Sequence, residues 1–574
     1  MKITRRVASS DRDLPDHVHP VMRRVLAGRN ISSARELDYS LTNLLPFGSL
    51  KNIDAAAGLL IDAICNDKRV FVIADYDADG ATACALALRG LAMLGAAYVD
   101  FLVPDRARHG YGLSTDVVRQ ALEFEPDILV TVDNGISSLS GVDFARSAGV
   151  DVLITDHHLP GRELPAANVI VNPNQPGDQF PSKCLAGVGV MFYVLLAVRA
   201  RLRADGWFAA KGLQIPNFAA FLDLVALGTI ADVVELDYNN RILVEHGLKQ
   251  IRTRRCCQGI SALIRVAGSV PEKISSSDLG FLLGPRLNAA GRLADMSLGI
   301  ECLLTDNFSS AMPLALQLNK FNSERKSVQA EMQEEAETYL NDIVELQQGE
   351  LPFGLCLYDA GWHQGIVGIL AGRLKEMVNR PVIIFAAAGE GLLKGSGRSI
   401  AGIHLKDVLE ALAAKRPQLM ERFGGHAMAA GLTIKEDSYT EFREVFDEEV
   451  GRMTAGRIPG AEIVTDGELA PGDISLELAR EIENAGPWGQ GFPEPLFDDE
   501  FTVVDTRTVG ERHLKLKLLL HGSQTPVDAI SFNTDADAVA VDAGNLRMVY
   551  QLAVDDYNNN LKPQLIIRHI ETGK

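Results

Sequence analysis

Short apolar segments alternate with helical patterns between residue 69 and about residue 156. The segments RVFVIAD, DILVTVD and VLITD are continuous apolar runs rich in β-branched residues, and helix-type patterns such as TACALALRGLAMLG and GVDFARSAG separate them. Continuous apolar strands that alternate with helices are typical of a parallel sheet with both faces covered. The pattern therefore predicts an α/β domain in this part of the chain.

The pattern changes twice farther along. A polar, helix-favouring segment predicts a long connecting helix, and strands such as GLCLYD and PVIIFA then mix with helices in a second, smaller α/β domain. Five alternating strands without long helices follow, which favours a small C-terminal β-barrel of the OB-fold type. We expect an N-terminal helical extension at 1–55, the first α/β domain at 56–305, the connecting helix at 306–350, the second α/β domain at 351–455 and the barrel at 456–574.

Composition narrows the class of protein. No apolar run is long enough for a membrane span or a signal peptide, so we expect a soluble, cytoplasmic protein without a membrane partner. The seven cysteines lack CxxC spacing, which argues against a disulfide framework or a zinc ribbon. The net charge of −19 lowers the expectation of nucleic-acid binding without excluding it, since a basic groove can be local.

Each of the three apolar strands ends in an aspartate: Asp75, Asp133 and Asp156. Ligands of open parallel sheets bind outside the carboxyl ends of the strands, so these three carboxylates are expected to converge on one site. The turn DYDADG after the first strand begins like a calcium EF-hand loop, but its twelfth position is Leu86 and a strand precedes it, so the EF-hand interpretation fails. The turn alone could either aim carboxylates at metal ions near a helix N-terminus or be a solvated acidic turn, and Asp133 with the Asp156-His157-His158 triplet favours the metal ions.

Two histidines, His157 and His158, follow Asp156 directly. Imidazole together with several carboxylates favours manganese or magnesium. We expect His157 to be a metal ligand and His158 to support the ligands or contact the substrate. Either Asp223 or Asp232 in LDLVALGTIADVVEL could complete the site, and Asp223 could instead be structural.

Four segments in this order, DYDADG, TVDNGISS, TDHHLPG and GTIADV, resemble the four motifs of the DHH phosphoesterase superfamily. The segments VPDRARHGYGLS, GPRLNAAGRL, KGSGRS, FGGHAMAAG and PWGQGFPEPLF extend the similarity, over nearly the whole chain, to its RecJ family of single-strand-specific 5′-to-3′ exonucleases. The resemblance implies a DHH domain, a DHHA1 domain and an OB-fold. Phosphatase and pyrophosphatase relatives begin the first motif with a histidine, which this chain lacks between His19 and His109.

The resemblance also implies a site and a role. It implies hydrolysis of single-stranded DNA to 5′-mononucleotides with two Mn²⁺ or Mg²⁺ ions, in DNA repair and recombination, with a single-strand-binding protein and a recombination helicase as partners. We expect Asp133 to bridge the metals, so Asp133→Ala should abolish hydrolysis while sparing the fold. The implied metal ligands are Asp75, Asp77, Asp79, Asp133, His157 and Asp232.

A 5′ end needs a pocket that binds its phosphate, which guanidinium groups and backbone amides do well. His426 in FGGHAMAAG is expected to bond near the scissile phosphate, and Phe501, Tyr550 and Phe532 are candidates for base stacking on the barrel. Trp488 could belong to a structural turn or contact DNA. The candidates for the phosphate pocket, each of which could instead be structural or solvated, are Arg106, Arg286, Arg292, Ser396 and Arg398.

Two other functions fit the same motifs. A DHH phosphodiesterase acting on short oligonucleotides or cyclic dinucleotides is usually shorter and lacks the barrel. A non-catalytic DNA-binding replication scaffold usually has eroded metal ligands, whereas the ligand set here is intact. Both are therefore less favoured than the exonuclease.

Overall fold

The computed structural model describes residues 1–7, 13–105, 111–346, 351–510, 513–534, 545–556 and 561–571. The chain forms two compact units. The larger unit contains Ile3–Asn319 and Val464–Lys574, and the smaller contains Met1–Lys2 and Lys320–Ile463.

The first part of the larger unit is an α/β domain. Its strands, with the short N-terminal strand, are β1 (Lys2–Arg5), β2 (Arg69–Ala74), β3 (Tyr98–Leu102), β4 (Ile128–Val132), β5 (Asp151–Thr155) and β6 (Val169–Val171). Its helices are α1 (Pro20–Ala27), α2 (Ile53–Cys65), α3 (Ala78–Leu94), α4 (Thr115–Leu122), α5 (Leu139–Ser147), α6 (Gly187–Ala204), α7 (Trp207–Lys211), α8 (Leu222–Ala231), α9 (Tyr238–Arg252), α10 (Gln258–Val266), α11 (Ser276–Asp278), α12 (Gly284–Leu293) and α13 (Ser297–Leu304).

Strands β2 to β6 form one parallel sheet in the order β3-β2-β4-β5-β6. Every residue of β4 is buried, as is every residue of β2 after Arg69, because helices cover both faces of the sheet. The predicted parallel-sheet domain is thus confirmed. Strands β2, β4 and β5, which precede the three aspartates, are direct neighbours in this sheet.

A single long helix, α14 (Phe308–Leu346), leads into the smaller unit, as predicted. That unit contains β7 (Leu355–Tyr358), α15 (Val367–Val378), β8 (Val382–Ala387), β9 (Leu392–Arg398), α16 (Leu405–Lys415), β10 (Arg422–Gly425), β11 (Ala429–Lys435) and α17 (Tyr439–Met453). Its sheet has the order β10-β11-β9-β8-β7, in which only the β7–β8 pair is parallel. Helices α16 and α17 supply much of its apolar core. The second α/β domain is confirmed.

The C-terminal part of the chain is a closed barrel, as predicted for an OB-fold. Strand β12 (Glu462–Thr465), which pairs with β1, and helix α18 (Leu476–Asn484) precede it, and its strands are β13 (Phe497–Val509), β14 (His513–Leu520), β15 (Val527–Phe532), β16 (Asn545–Asp555) and β17 (Lys562–Glu571). The strand order around the barrel is β13-β14-β15-β17-β16. Leucines alternate along β14 and point inward, and residues of α1 join the same core.

Among the described residues, no single helix has the length and apolar character needed to cross a membrane, although the bent pair Leu41–Ser49 and Ile53–Cys65 passes by length and composition alone.

Candidate metal centre

The three strand-end aspartates lie side by side at one edge of the parallel sheet. Asp75, Asp133 and Asp156 each follow the last residue of a strand, and all three are buried. Their backbone N–H groups continue the sheet, because each donates to a carbonyl of the neighbouring strand, at 3.1 to 3.3 Å. Strand pairing therefore fixes where these side chains start.

The DYDADG turn places two further carboxylates at the start of α3. Asp77 is the N-cap of that helix, and its Oδ1 accepts from the amides of Asp79 (2.9 Å) and Gly80 (3.0 Å). Asp79 is fully buried, and its two oxygens accept from the amides of Gly187 (2.6 Å) and Val188 (3.0 Å) in the first turn of α6. Backbone amides thus hold both carboxylates in fixed positions.

His157 faces carboxylates from three elements. Its Nε2 lies 3.1 Å from Asp133 Oδ1, 3.4 Å from Asp232 Oδ2 and 4.0 Å from Asp79 Oδ2. Asp232 is the residue directly after α8. Ligand atoms within 4.8 Å of one another form three overlapping groups: Asp133 with His157 and His158, Asp79 with His157 and Asp232, and Asp75 with Asp77 and Asp133.

The atoms at the centre of this cluster fit a divalent cation. Asp133 Oδ1 and His157 Nε2 are buried, and neither has a hydrogen-bond partner among the described residues. Burial, together with neighbouring His158, lowers the pKa of His157 to about 4, so its ring is neutral and can offer a lone pair. Burial and the charge of Asp79 raise the pKa of Asp133 well above its ordinary value. A cation would relieve this repulsion and satisfy both atoms.

Asp156 has a different task from the other strand-end acids. Its Oδ1 accepts from the amide of His157 (2.7 Å) and lies 2.8 Å from His158 Nδ1, while its Oδ2 accepts from the amide of Ile136 (2.9 Å). Burial alone would lower the pKa of His158, but the hydrogen bond and charge of Asp156 outweigh it and raise that pKa to about 9. Asp156 therefore orients the His158 ring and favours its protonated form.

Asp133 is held in an uncommon backbone conformation. Its φ of +63° lies in the left-handed region, which costs energy for a residue other than glycine. Helix α6 approaches it closely, because a Cβ on Gly187 would lie 2.5 Å from Asp133 Cβ. The packing of α6 thus requires glycine at this position and confines the Asp133 side chain.

Tyr111 belongs to the site although the sequence reasoning did not select it. Its hydroxyl lies 3.1 Å from the Asp133 carbonyl oxygen and 3.1 and 3.3 Å from the two ring nitrogens of His158. The residue is in the segment HGYGLS, which carries part of the family resemblance. A tyrosine in a loop has no distinctive spacing, so the sequence pattern does not mark Tyr111 as a site residue.

Two of the predicted arginines lie on α12. Arg286 is mostly buried, and its guanidinium donates to the Leu282 carbonyl (2.5 Å) and to Asn319 Oδ1 (3.0 Å). Arg292, in the last turn, is half-buried. Arg106 lies outside the described residues.

The two candidates for the fourth-motif carboxylate have different partners. Asp232 belongs to the cluster of ligand atoms, whereas Asp223 accepts a hydrogen bond from the Cys257 amide (2.7 Å) at the start of α10.

Three predicted site residues lie in the smaller unit. Ser396 and Arg398 are on β9, and the Arg398 guanidinium is 3.3 Å from Ser396 Oγ. Both lie against the first turn of α15, because a Cβ on Gly368 would be 2.9 Å from Ser396 Oγ and 3.2 Å from an Arg398 nitrogen. His426 is exposed in the turn between β10 and β11, and its amide donates to the Ala429 carbonyl.

The expectation for the barrel aromatics was wrong at two positions. Phe501 and Tyr550 are 0% exposed in the barrel core, and the Tyr550 hydroxyl donates to Asp499, so neither can stack on a base. Their alternation along the strands places them inward. Phe532 is 48% exposed and packs edge-on against His513 with 5.2 Å between ring centroids.

Comparison with family models divides the chain into three matched regions. Residues 69–229 match the DHH family, N-terminal domain. Residues 352–452 match the DHHA1 domain, and residues 465–569 match the RecJ OB domain.

Curated relatives match over nearly the full length. The single-stranded-DNA-specific exonuclease RecJ of Escherichia coli (strain K12) is 48% identical over 572 residues, covering 99% of each chain. The protein with the same description from Haemophilus influenzae is 47% identical over 556 residues, covering 96% of each. Among solved structures, RecJ from Thermus thermophilus in complex with Mn²⁺ superimposes with a TM-score of 0.82 at 30% identity, covering 100% of this chain and 80% of that one.

Proposed function

The chain belongs to the RecJ family of single-stranded-DNA-specific exonucleases, and we propose that it degrades single-stranded DNA from the 5′ end by metal-dependent hydrolysis that releases 5′-mononucleotides. The observation that carries the proposal is the cluster of buried, mutually close ligand atoms around Asp133 and His157. Relatives of 47 and 48% identity named as such exonucleases support the substrate, and the manganese complex of the Thermus relative supports the cofactor.

The residues that would hold two Mn²⁺ or Mg²⁺ ions fall into two sets that meet at one carboxylate. Asp133 groups with Asp75 and Asp77 on one side, and its Oδ1 faces His157, which groups with Asp79 and Asp232, on the other. Asp133 is therefore the proposed bridging ligand. When bound, divalent cations activate water and offset the negative charge that develops during in-line displacement at phosphorus.

The residues around His158 prepare it to act on the substrate. His158 Nδ1 faces Asp156, and the Tyr111 hydroxyl lies 3.1 Å from that nitrogen and 3.3 Å from Nε2. With Nδ1–H donating to Asp156, the second ring nitrogen can donate to Tyr111 or to a phosphate oxygen. We propose that His158 binds the scissile phosphate as a hydrogen-bond donor.

The smaller unit supplies a site suited to the 5′-phosphate. Ser396 and Arg398 lie against the first turn of α15, where the positive end of the helix dipole favours an anion. A hydroxyl and a guanidinium add the donors that phosphate recognition needs. We propose Ser396 and Arg398 as the core of this pocket, with Arg106, Arg286 and Arg292 as further phosphate-binding residues and His426 as a group near the scissile phosphate.

The outer face of the barrel is suited to the strand beyond the cleavage point. Phe532 of β15 and His513 of β14 pair there, and Lys515, two residues beyond His513, lies across from Arg507 of β13. Stacking on exposed rings combined with cationic side chains is how OB-folds bind single strands without reading sequence. We propose this face as the single-strand contact of the barrel.

The domain division proposed from the sequence, with a catalytic domain at 56–305, a DHHA1 domain at 351–455 and the barrel at 456–574, is supported by the ranges of the three family models. We also propose that the enzyme acts in the cytoplasm in DNA repair and recombination. A single-strand-binding protein and a recombination helicase are the proposed partners.

The decisive experiment is digestion of single-stranded DNA carrying a label at either its 5′ or its 3′ end, with added Mn²⁺ or Mg²⁺. The proposal predicts that 5′-labelled substrate releases labelled mononucleotide at once, whereas 3′-labelled substrate shortens progressively. Duplex DNA and RNA of the same sequence serve as controls. Early mononucleotide release from the 3′ end, or equal rates on duplex, would contradict the proposal.

A further inference from the structure

The sequence PWGQGF, residues 487–492, forms a loop that packs against the segment 230–236 at the end of α8; we name it the PWGQGF loop. A tight turn closes it, since the Gly489 and Phe492 backbones exchange two hydrogen bonds of 2.9 and 3.1 Å. The Leu236 amide donates to the Gln490 carbonyl (2.8 Å), and Ser276 Oγ donates to the Trp488 carbonyl (2.7 Å). The loop is therefore bonded to the segment that follows α8.

The two glycines of the loop allow this close approach. A Cβ on Gly489 would lie 2.7 Å from Leu236 Cδ1 and 3.8 Å from Ile230 Cδ1. Gly491 has a φ of +72°, and a Cβ there would lie 3.3 Å from Glu235 side-chain atoms. Both glycines thus face the segment 230–236, and Gly489 leaves no space for a larger residue.

Aromatic and cationic contacts keep the loop rigid. The Trp488 ring stacks on Phe492 with 5.0 Å between centroids, and its Nε1 donates to the Ile482 carbonyl of α18 (2.9 Å). Arg29 lies over the Trp488 ring and Arg241 of α9 over the Phe492 ring, at 5.3 and 4.4 Å. These contacts join the loop to α18 on the barrel side and to α9 on the catalytic side.

The segment 230–236, against which the loop packs, contains the proposed metal ligand Asp232. Asp232 directly follows α8, and the next residue, Val233, has a φ of +62° and is 62% exposed. A β-branched residue in the left-handed region is an unfavourable conformation that its surroundings must maintain. Leu236, only four residues beyond Asp232, is where the PWGQGF loop holds this segment.

We propose that the PWGQGF loop is a positioning clamp for Asp232: it holds the strained turn after α8 so that the Asp232 carboxylate stays within reach of His157 and Asp79. Trp488 and Gly489 are positioning residues, not DNA contacts. The inference rests on the proposed assignment of Asp232 as a metal ligand. If the loop acts in this way, the segment that precedes the barrel contributes to the affinity of the site for Mn²⁺.

The test compares Mn²⁺ binding, measured by titration calorimetry on the full chain, in Gly489→Ala and in Gly472→Ala. Gly472 lies in the same C-terminal region, and a Cβ there would meet no atom within 4 Å, so it is the matched control. We expect Gly489→Ala to weaken Mn²⁺ binding about tenfold, in the range typical of residues that support metal ligands, while Gly472→Ala binds as the parent does. The thermal midpoint of the metal-free protein is recorded for each variant.

Two further variants separate the possible failures. In Gly489→Ala with Leu236→Ala, the side chain that the new Cβ would strike is shortened, so Mn²⁺ affinity should recover towards that of the parent; this pair also keeps the test valid if Gly489→Ala alone does not fold. Parental Mn²⁺ affinity in folded Gly489→Ala, or no recovery in the double variant, would overturn the clamp. Asp232→Asn is measured in parallel: unchanged Mn²⁺ affinity there would overturn the ligand assignment itself.

Discussion

Removing the Tyr111 hydroxyl tests how the second histidine is held. In Tyr111→Phe the ring keeps its edge contacts with Tyr76 and His158, at centroid distances of 6.2 and 5.6 Å. What is lost is one hydroxyl that lies 3.1 Å from both the Asp133 carbonyl and a His158 nitrogen. A hydrogen bond of this kind contributes about 1 kcal/mol to stability. We therefore expect a small loss of unfolding free energy.

The expected effect on activity is larger than the effect on stability. Loss of a group that orients a site residue typically costs about 10- to 100-fold in activity. We expect kcat to fall about tenfold, which corresponds to about 1.4 kcal/mol of the activation barrier, with KM for DNA nearly unchanged because the ring remains. The assay is steady-state digestion of 5′-labelled single-stranded DNA over a range of concentrations.

Tyr238→Phe is the matched control for this prediction. The Tyr238 hydroxyl lies within hydrogen-bond distance of two backbone carbonyls that share its one proton, those of Arg35 (2.9 Å) and Asp38 (2.6 Å), but it lies outside the metal cluster. It should lose similar stability and keep the parental kcat. An unchanged kcat in Tyr111→Phe would refute the positioning role, and a rise in KM alone would make Tyr111 a substrate contact instead.

Three further predictions concern other parts of the chain. Arg398→Ala should raise KM at least tenfold for 5′-phosphorylated DNA and much less for DNA with a 5′-hydroxyl; equal effects on both substrates in kinetic assays would contradict the phosphate pocket. Phe532→Ala should weaken single-strand binding by about 1 to 3 kcal/mol without changing kcat, as fluorescence anisotropy can measure, and unaltered affinity would exclude the stacking role. Burial raises the pKa of Asp499 to about 6, above its unfolded value, so its ionisation should destabilise the fold progressively from about pH 4 to about pH 6, by at most about 3 kcal/mol. In urea unfolding, Asp499→Asn should therefore lose less unfolding free energy over that pH range than the parent does. An identical dependence of the unfolding free energy on pH in the two proteins would contradict this role of Asp499.

The parallel sheet and the barrel were predictable because their apolar patterns are strong. Strands buried on both faces show as continuous runs, and alternating leucines mark a barrel strand. The convergence of Asp75 and Asp133 followed from the shared direction of neighbouring strands. Those predictions needed only local pattern and general topology.

The remaining features depend on contacts between residues distant in sequence. The choice of Asp232 over Asp223 depends on which end of α8 faces the cluster, because Asp223 lies in the first turn of this apolar helix and Asp232 directly follows its last residue. Tyr111 reaches His158 through a loop whose path no periodicity encodes. Phe501 and Tyr550 were candidates for base stacking, and aromatic content alone could not reveal that the register of their strands turns both side chains into the barrel core.

Asp133 is the residue proposed to hold both metal ions, so hydrolysis of DNA should depend on its carboxylate. The most direct measurement compares Asp133→Asn with Asp127→Asn, which alters an exposed carboxylate directly before the same strand, β4. We predict that Asp133→Asn loses nearly all Mn²⁺ binding in calorimetry and all nucleotide release from 5′-labelled DNA while remaining folded, and that Asp127→Asn behaves as the parent does. Parental Mn²⁺ affinity or nucleotide release in Asp133→Asn would contradict the account.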